Sequence, residues 1–173
     1  MQVRTVKPED YSQIDELIRA AFTNTEHGYG QESELVNKIR TSDEYVDGLE
    51  LVVTQDKAIL GYGLLSEVHI KNEDQSFTGL VLAPLAVRVE FQKKGVGRLL
   101  IKELEKRATK LNYRFISILG HPSYYPKFNY VPVSEYNVRS PFSVPDEAFM
   151  IKPLFKGALD GISGTVRYSK AFD

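Results

Sequence analysis

Residues Gln92-Lys93-Lys94-Gly95-Val96-Gly97-Arg98 set one amide, three cations and two glycines in a row. They follow a continuous apolar run, Leu80 to Val87, which suits a strand buried on both faces. They open a stretch with apolar residues at Val96, Leu99, Leu100, Leu104, Ala108 and Leu111, the period of an amphipathic helix. Strand, glycine turn and helix start together make a phosphate site. The first amides of a helix lack intrahelical partners, the helix dipole is positive there, and glycine lets a phosphate approach the main chain. Lys93, Lys94 and Arg98 add full positive charges. Spacing excludes two common phosphate loops. A Walker loop places its lysine after the second glycine, whereas Lys94 precedes Gly95. A dinucleotide fingerprint requires a third glycine where Leu100 stands.

The elements that must position this turn are legible in outline. Gln2 to Val6 is expected to form a strand. Residues 8 to 22 are expected to form an amphipathic helix, with Pro8 in its first turn and Tyr11, Ile14, Leu17, Ile18, Ala21 and Phe22 on one face. A polar loop over 23 to 30 leads to a shorter helix, Gln31 to Arg40, turning Leu35, Val36 and Ile39 inward. Leu49 to Gln55 and Ala58 to Ile70 flank Asp56-Lys57 as a hairpin. A third strand ends at Val89, the glycine turn and its helix follow, and Arg114 to Leu119 returns as a strand. The meander is antiparallel, and a strand–helix–strand crossover of this length is right-handed with parallel pairing. The expected fold class is α/β with a mixed, mostly antiparallel sheet, one parallel pair and helices on both faces, in a single domain over residues 1 to 173.

Composition narrows the partners. The chain has 22 basic and 23 acidic residues, so no global field attracts nucleic acid or an anionic membrane, and any electropositive site is local. With no cysteine, a thiol nucleophile and disulfides are excluded, which fits a cytoplasmic protein. His27, His69 and His121 are far apart and make no metal spacing, so no metal is expected. Gly161-Ile162-Ser163-Gly164-Thr165 lacks the second glycine of a nucleophile elbow.

The pattern Gln92-x-x-Gly95-x-Gly97, with Pro84-Leu85-Ala86-Val87 and Glu90-Phe91 leading into it, resembles the acyl-coenzyme A signature of the GNAT superfamily of N-acetyltransferases. Gly120 to Pro132, GHPSYYPKFNYVP, resembles the family's short helix that carries a tyrosine. Tyr124-Tyr125, Phe128 and Tyr130, with Ala148-Phe149-Met150 and Gly164 to Tyr168, are similar to its YhbS-like subgroup. Three positions depart from the pattern. Val89 stands where the family often has proline, His121 where the subgroup often has aspartate, and Asn129 where it usually has glycine. Asn tolerates left-handed backbone, so the turn at 129 is expected to survive. His121 is expected to cap the short helix.

The resemblance implies a GNAT-like fold whose parallel strands splay apart, with the pantetheine arm of acetyl-CoA bonded to the backbone of Leu85, Ala86 and Val87. Gln92, Lys93, Lys94, Gly95, Val96, Gly97 and Arg98 then hold its phosphates. The implied reaction is acetyl transfer to a primary amine, small-molecule or peptide, through a tetrahedral intermediate. Such a reaction needs a proton acceptor, an oxyanion donor and an acid for the departing sulfur. By resemblance the Val87 N–H is the oxyanion donor and Tyr125 the acid; a phenol stays protonated at neutral pH. Tyr124 is its neighbouring substitute. Glu67 is the candidate base and shares a strand face with His69. The helix–loop–helix over 8 to 40 is expected to wall the amine site, which would turn His27, Tyr29, Glu32 and Glu34 toward substrate or leave them on an exposed loop. A non-catalytic acyl-CoA-binding module is the alternative from another class, and it needs no leaving-group acid. Action on charged transfer RNA is disfavoured by the absent basic surplus. The late glycine-linked strands are a possible homodimer contact.

Overall fold

The computed structural model describes the whole chain, residues 1–173. Nine strands form: β1 Gln2–Thr5, β2 Tyr45–Gln55, β3 Ala58–Lys71, β4 Ser76–Val87, β5 Phe115–Leu119, β6 Val131–Pro132, β7 Val138–Arg139, β8 Phe149–Pro153 and β9 Gly164–Arg167. Three α-helices accompany them: α1 Tyr11–Thr23, α2 Glu32–Arg40 and α3 Val96–Lys110. Hydrogen bonding orders the strands β1-β2-β3-β4-β5-β8-β6, with β9 against β3 and β7 against β9. The pairs β4–β5 and β7–β9 are parallel, while β1–β2, β2–β3, β3–β9, β5–β8 and β6–β8 are antiparallel. The sheet is therefore mixed, as expected.

The chain divides into two compact units, Met1–Ser66 with Ala83–Arg107, and Glu67–Leu82 with Ala108–Asp173. In the first unit, Asp56 and Lys57 turn the β2–β3 hairpin with φ of 50° and 68°. Two successive left-handed residues match the right-handed twist of the strands they join. Paired residues share a face, so Val52 and Tyr62 point one way while Leu51 and Gly63 point the other. Helices lie on both of these faces. Glu50 and Tyr62 meet Arg40 of α2: Arg40 Nε donates to Glu50 Oε2 at 2.8 Å, and the Tyr62 hydroxyl donates to the same oxygen at 2.7 Å. On the opposite face a Cβ at Gly61 would lie 2.5 Å from Val96 Cγ1, and one at Gly63 would lie 3.0 Å from Leu104 Cδ1. Those two glycines let α3 settle directly on the strand.

Helix α1 buries Ile14, Leu17, Ile18 and Ala21, the face expected from its period. Helix α2 buries Ser33, Val36 and Ile39, leaving Leu35 half-buried. The strand expected to end at Val89 stops at Val87. Arg88 bonds backwards through its N–H to Leu60 O at 2.8 Å and its Nε to Ile59 O at 2.6 Å, and Val89–Phe91 form a single helical turn.

Asp10 anchors the entry to α1. It is 5% exposed and accepts from Arg4 Nη1 at 2.7 Å, Arg4 Nη2 at 2.9 Å and the Lys7 N–H at 2.8 Å. The bonds from Arg4 hold its carboxyl below the usual carboxylate range. A depressed folded-state pKa contributes stability above the unfolded value, about 3.9, and loses it as pH falls through the folded one. Asp10→Asn is expected to lower stability at neutral pH by about 1–2 kcal/mol and to flatten the acid limb below pH ~4. Denaturant melts of both proteins across that range measure this.

In the second unit, β5 pairs with β4 at Leu80↔Ile116 and Val81↔Ser117, and Ser117 Oγ donates to Leu80 O. Gly79 leaves room for the Phe115 ring, whose Cζ would lie 2.2 Å from a Cβ there. The opposite edge of β5 carries β8 from Phe115↔Pro153 to Leu119↔Phe149. Strand β9 is paired on both edges, with β3 and with β7, so it offers no free edge for a second copy.

Candidate active site

The glycine turn is built within the first unit. Lys93 at φ 62° and Gly95 at φ 88° are both left-handed, and they turn the chain from the single helical turn at 89–91 into α3. At Gly95 a side chain would meet open space, so the requirement for glycine there is conformational. The Leu99 N–H bonds Gly95 O at 3.1 Å, which makes Gly95 the residue before the first helical position. The amides of Val96, Gly97 and Arg98 therefore have no i−4 carbonyl within the helix. No acid occupies the first turn of α3. Gln92, Lys93, Lys94, Gly95 and Arg98 are exposed, Val96 and Gly97 buried. Lys94 Nζ lies 5.5 Å from the Phe91 ring centre. Gln92 Nε2 donates to Val87 O at 3.3 Å, tying the turn to the end of β4. These groups fit a pyrophosphate: main-chain donors, a positive dipole end, no competing anion and three cations at the rim.

The close approach at Gly61 and Gly63 sets where that helix begins, because Val96 and Leu100 pack against them. Sequence reading missed this. Two glycines alternating in a strand are the signal, since glycine in a strand interior marks a close backbone or helix approach. Along β4, Leu85 and Val87 are half-buried and Ala86 buried. Leu85 Cδ1 lies 3.3 Å from the Cβ position of Gly63. Pro84 contributes no N–H to β4 just before this stretch.

Tyr125 belongs to the second unit, at the first position of a helical turn over Tyr125–Phe128. His121 organises the approach: its carbonyl accepts from the Tyr124 and Tyr125 N–H groups, and its Nδ1 lies 2.8 Å from Ser123 Oγ. The expected cap is not made by its side chain: Tyr124 precedes the turn, no side chain caps it, and the His121 ring turns to Ser123 instead. Asn129 takes φ 72° and ends the turn, as expected where the subgroup carries glycine. The Tyr125 ring packs edge-on with Tyr124 at 5.1 Å and with Tyr130 at 6.1 Å between centres. A Cβ at Gly120 would lie 2.4 Å from Tyr125 Cε2, so Gly120 makes room for the ring. Burial raises the Tyr125 hydroxyl above the ordinary phenol range, with Tyr124 adding to the effect.

Glu67 is half-buried in the same unit and accepts from the Tyr113 hydroxyl at 2.5 Å. Burial, followed by this bond, raises the Tyr113 phenol. His69 Nδ1 pairs with Thr78 Oγ1 at 3.1 Å. In the helix–loop–helix, Tyr29 donates to Glu34 Oε1 at 2.5 Å, Arg19 bonds both Asp15 and Glu34, and Asp15 accepts from Ser33 Oγ. Glu32 accepts from the Gly30 N–H at 2.8 Å. These side chains brace the loop onto the two helices. A groove of about 310 Å³ lined by Tyr11, Asp15, Ser33, Asn37 and Arg40 lies beside them. Ser163 Oγ accepts from Asn72 Nδ2 at 3.2 Å.

The mixed sheet with its parallel pair β4–β5, and the glycine turn that opens α3, are the features of the acyl-CoA N-acyltransferase fold. The family model described as acetyltransferase (GNAT) family matches residues 11–126, and the chain belongs to that family. It is 30% identical, over 100% of its length and 99% of the other's, to the uncharacterized N-acetyltransferase YhbS of Escherichia coli strain K12. The YhbS crystal structure in complex with CoA superposes with a TM-score of 0.88 at 27% identity, covering 99% of this chain and 91% of that one. A GNAT family acetyltransferase of Brucella melitensis in complex with acetyl-CoA gives 0.79 at 25% identity, covering 99% and 97%.

Proposed function

We propose that this chain is a cytoplasmic N-acetyltransferase that works as one catalytic domain over residues 1–173 and moves an acetyl group from acetyl-CoA to a primary amine. The observation that carries this reading is the start of α3, where first-turn amides, left-handed Gly95 and exposed Lys93, Lys94 and Arg98 meet in a member of the acetyltransferase family. Two similar structures, from E. coli and B. melitensis, are complexes with CoA and acetyl-CoA. Acetyl-CoA supplies the activated acetyl thioester. In this reading the Gln92–Arg98 turn holds the phosphates, the main chain of Leu85, Ala86 and Val87 orients the arm, and the Val87 N–H donates to the developing oxyanion. Tyr125 gives its proton to the leaving sulfur, and its raised pKa supports that role because the phenol remains a donor throughout the working range. No metal enters the scheme. The acceptor is a small-molecule or peptide amine rather than a nucleic acid, and no helix is long and apolar enough to cross a membrane.

Glu67 takes the ammonium proton in this scheme, with Tyr113 fixing one carboxylate oxygen. Glu67→Gln is expected to lower kcat about a hundredfold at neutral pH and to recover activity as pH rises and the amine deprotonates in solution. A deficit that is the same at every pH would make Glu67 an anchor for Tyr113 only.

Calorimetric titration with acetyl-CoA, followed by thiol release against a panel of amines, tests the whole reading. Micromolar binding with turnover supports it. Binding without turnover on any amine favours an acyl-CoA sensor of the same fold, and failure to bind removes the cofactor assignment.

A further inference from the structure

The outer face of the β3–β9–β7 patch carries Lys71, Arg139 and Arg167, none of them in an ion pair. Register places Lys71 opposite Thr165 on one side, and Arg139 opposite Thr165 on the other. Directly opposed residues share a face, so the two cations flank Thr165 across three strands. At a strand spacing of about 4.8 Å their backbones stand roughly 10 Å apart. Arg167 lies two residues along β9 from Thr165, on the same face, opposite His69. The other face of the patch, with Ile70, Val166 and Val138, is buried, which fixes the orientation. Lys71 and Arg139 are exposed, and neither makes an ion pair or a side-chain hydrogen bond.

Lys71, Thr165 and Arg139 line a groove of about 690 Å³; Arg167 is not among its lining residues. Its donors include Ser163, Thr165, Asn137 and Tyr136, and its one acid is Glu73, on the β3–β4 turn. Asp146 accepts from the groove residue Ser134 at 2.7 Å, and the acids Asp74 and Glu135 adjoin lining residues in the sequence. The walls are built rather than loose. Asn72 Nδ2 donates to Ser163 O at 3.0 Å and to Ser163 Oγ, while Asn72 Oδ1 accepts from the Asp74 and Gln75 amides. Gly164, at φ 136°, lets Lys71 O approach to 2.2 Å from where a Cβ would stand, and its N–H bonds Asn137 O. Any larger residue at 164 would close that wall.

We propose that this groove binds a small oxyanion, the phosphate or carboxylate group of a metabolite, in a site separate from the cofactor turn. Arg139 offers a planar fork of donors and Lys71 a point charge, while the hydroxyls and the Asn137 amide complete a shell that suits an oxyanion and no cation.

The test is a 15N-correlation NMR titration of the full chain with inorganic phosphate, and separately with succinate, against sodium chloride at matched ionic strength. Expected are saturable shifts at the amides of Asn72, Asn137, Gly164 and Thr165. Arg139→Gln should weaken that binding about tenfold or more, with a folded spectrum and unchanged acetyl-CoA affinity. Saturation by phosphate alone identifies a phosphoryl ligand, and saturation by succinate alone a carboxylate. Shifts confined to the Gly95–Arg98 amides, shifts no larger than those in chloride, or a groove covered by a second copy in sedimentation would each overturn the proposal. The Gly95–Arg98 amides report on the cofactor reading separately.

Discussion

Gly97→Glu is expected to abolish calorimetrically detectable acetyl-CoA binding while the far-ultraviolet circular dichroism spectrum is retained. The residue lies in the first turn of α3 outside the left-handed region, so its backbone conformation does not demand glycine; it is buried, and the retained spectrum is the control that the longer side chain is accommodated. In the free protein a carboxylate at a helix start is favourable by about 0.3–1 kcal/mol, and α3 has no acid there to crowd it. The substitution acts on the ligand. It places a negative charge among the amides that the phosphates need. Two like charges about 4 Å apart near a protein surface repel by ~4 kcal/mol, roughly a thousandfold in affinity. Gly97→Ala separates the contributions, because it removes the close approach and adds no charge. It should weaken binding far less. If Gly97→Glu bound acetyl-CoA as tightly as the parent, the turn would no longer be the phosphate site, however well its geometry fits.

What could be read from the sequence was whatever chemistry is local. The turn at 92–98 was legible because its residue types carry the function and its spacing excludes the alternatives. Asp56-Lys57 and Asn129 were legible because both concern left-handed backbone, which few residues adopt. The end of β4 was misjudged by two residues. Val89 is apolar and β-branched, and only the bonds from Arg88 to Ile59 and Leu60, on another strand, stop the ladder earlier. The roles of Gly61 and Gly63 were missed for the same reason, since the helix that demands them begins far along the chain. The buried cluster in which Glu50, 1% exposed, gathers Arg40, Tyr45 and Tyr62 was equally invisible. A carboxylate and an arginine are ordinary surface residues until tertiary pairing buries them. Strand β9 had no bounds in the sequence beyond lying after the glycine-rich stretch from 157, and its place between β3 and β7 is a long-range choice that periodicity does not encode. The cofactor-turn expectation thus rests on local chemistry. Tyr125 and Glu67 rest on resemblance and need kinetics.

Tyr125→Phe supplies those kinetics for the acid. The change deletes one hydroxyl and keeps the ring that fills the space beside Gly120, Tyr124 and Tyr130, so packing and fold should survive. General acid catalysis contributes between about a hundredfold and ten-thousandfold, and the expected result is a fall in kcat of at least about a hundredfold. Acetyl-CoA affinity should stay within about twofold, since an interaction made only in the transition state leaves ground-state binding alone. The pH profile distinguishes this from a packing defect. Burial raises the Tyr125 phenol, so its proton is still present where an ordinary phenol begins to ionise, near pH 10. The parent rate should therefore keep rising while the amine substrate deprotonates, with no alkaline fall from loss of the acid until the pH exceeds that ordinary range. The variant should show the same rising limb, set by the amine, at a uniformly lower plateau. Acyl donors with more acidic leaving thiols would narrow the gap, because a thiolate that departs unaided needs no proton: an acetyl thioester of a coenzyme A analogue with a lowered thiol pKa should restore much of the lost rate. Equal turnover by parent and variant with acetyl-CoA itself would reduce Tyr125 to a packing residue and move the search for the acid to its neighbour Tyr124.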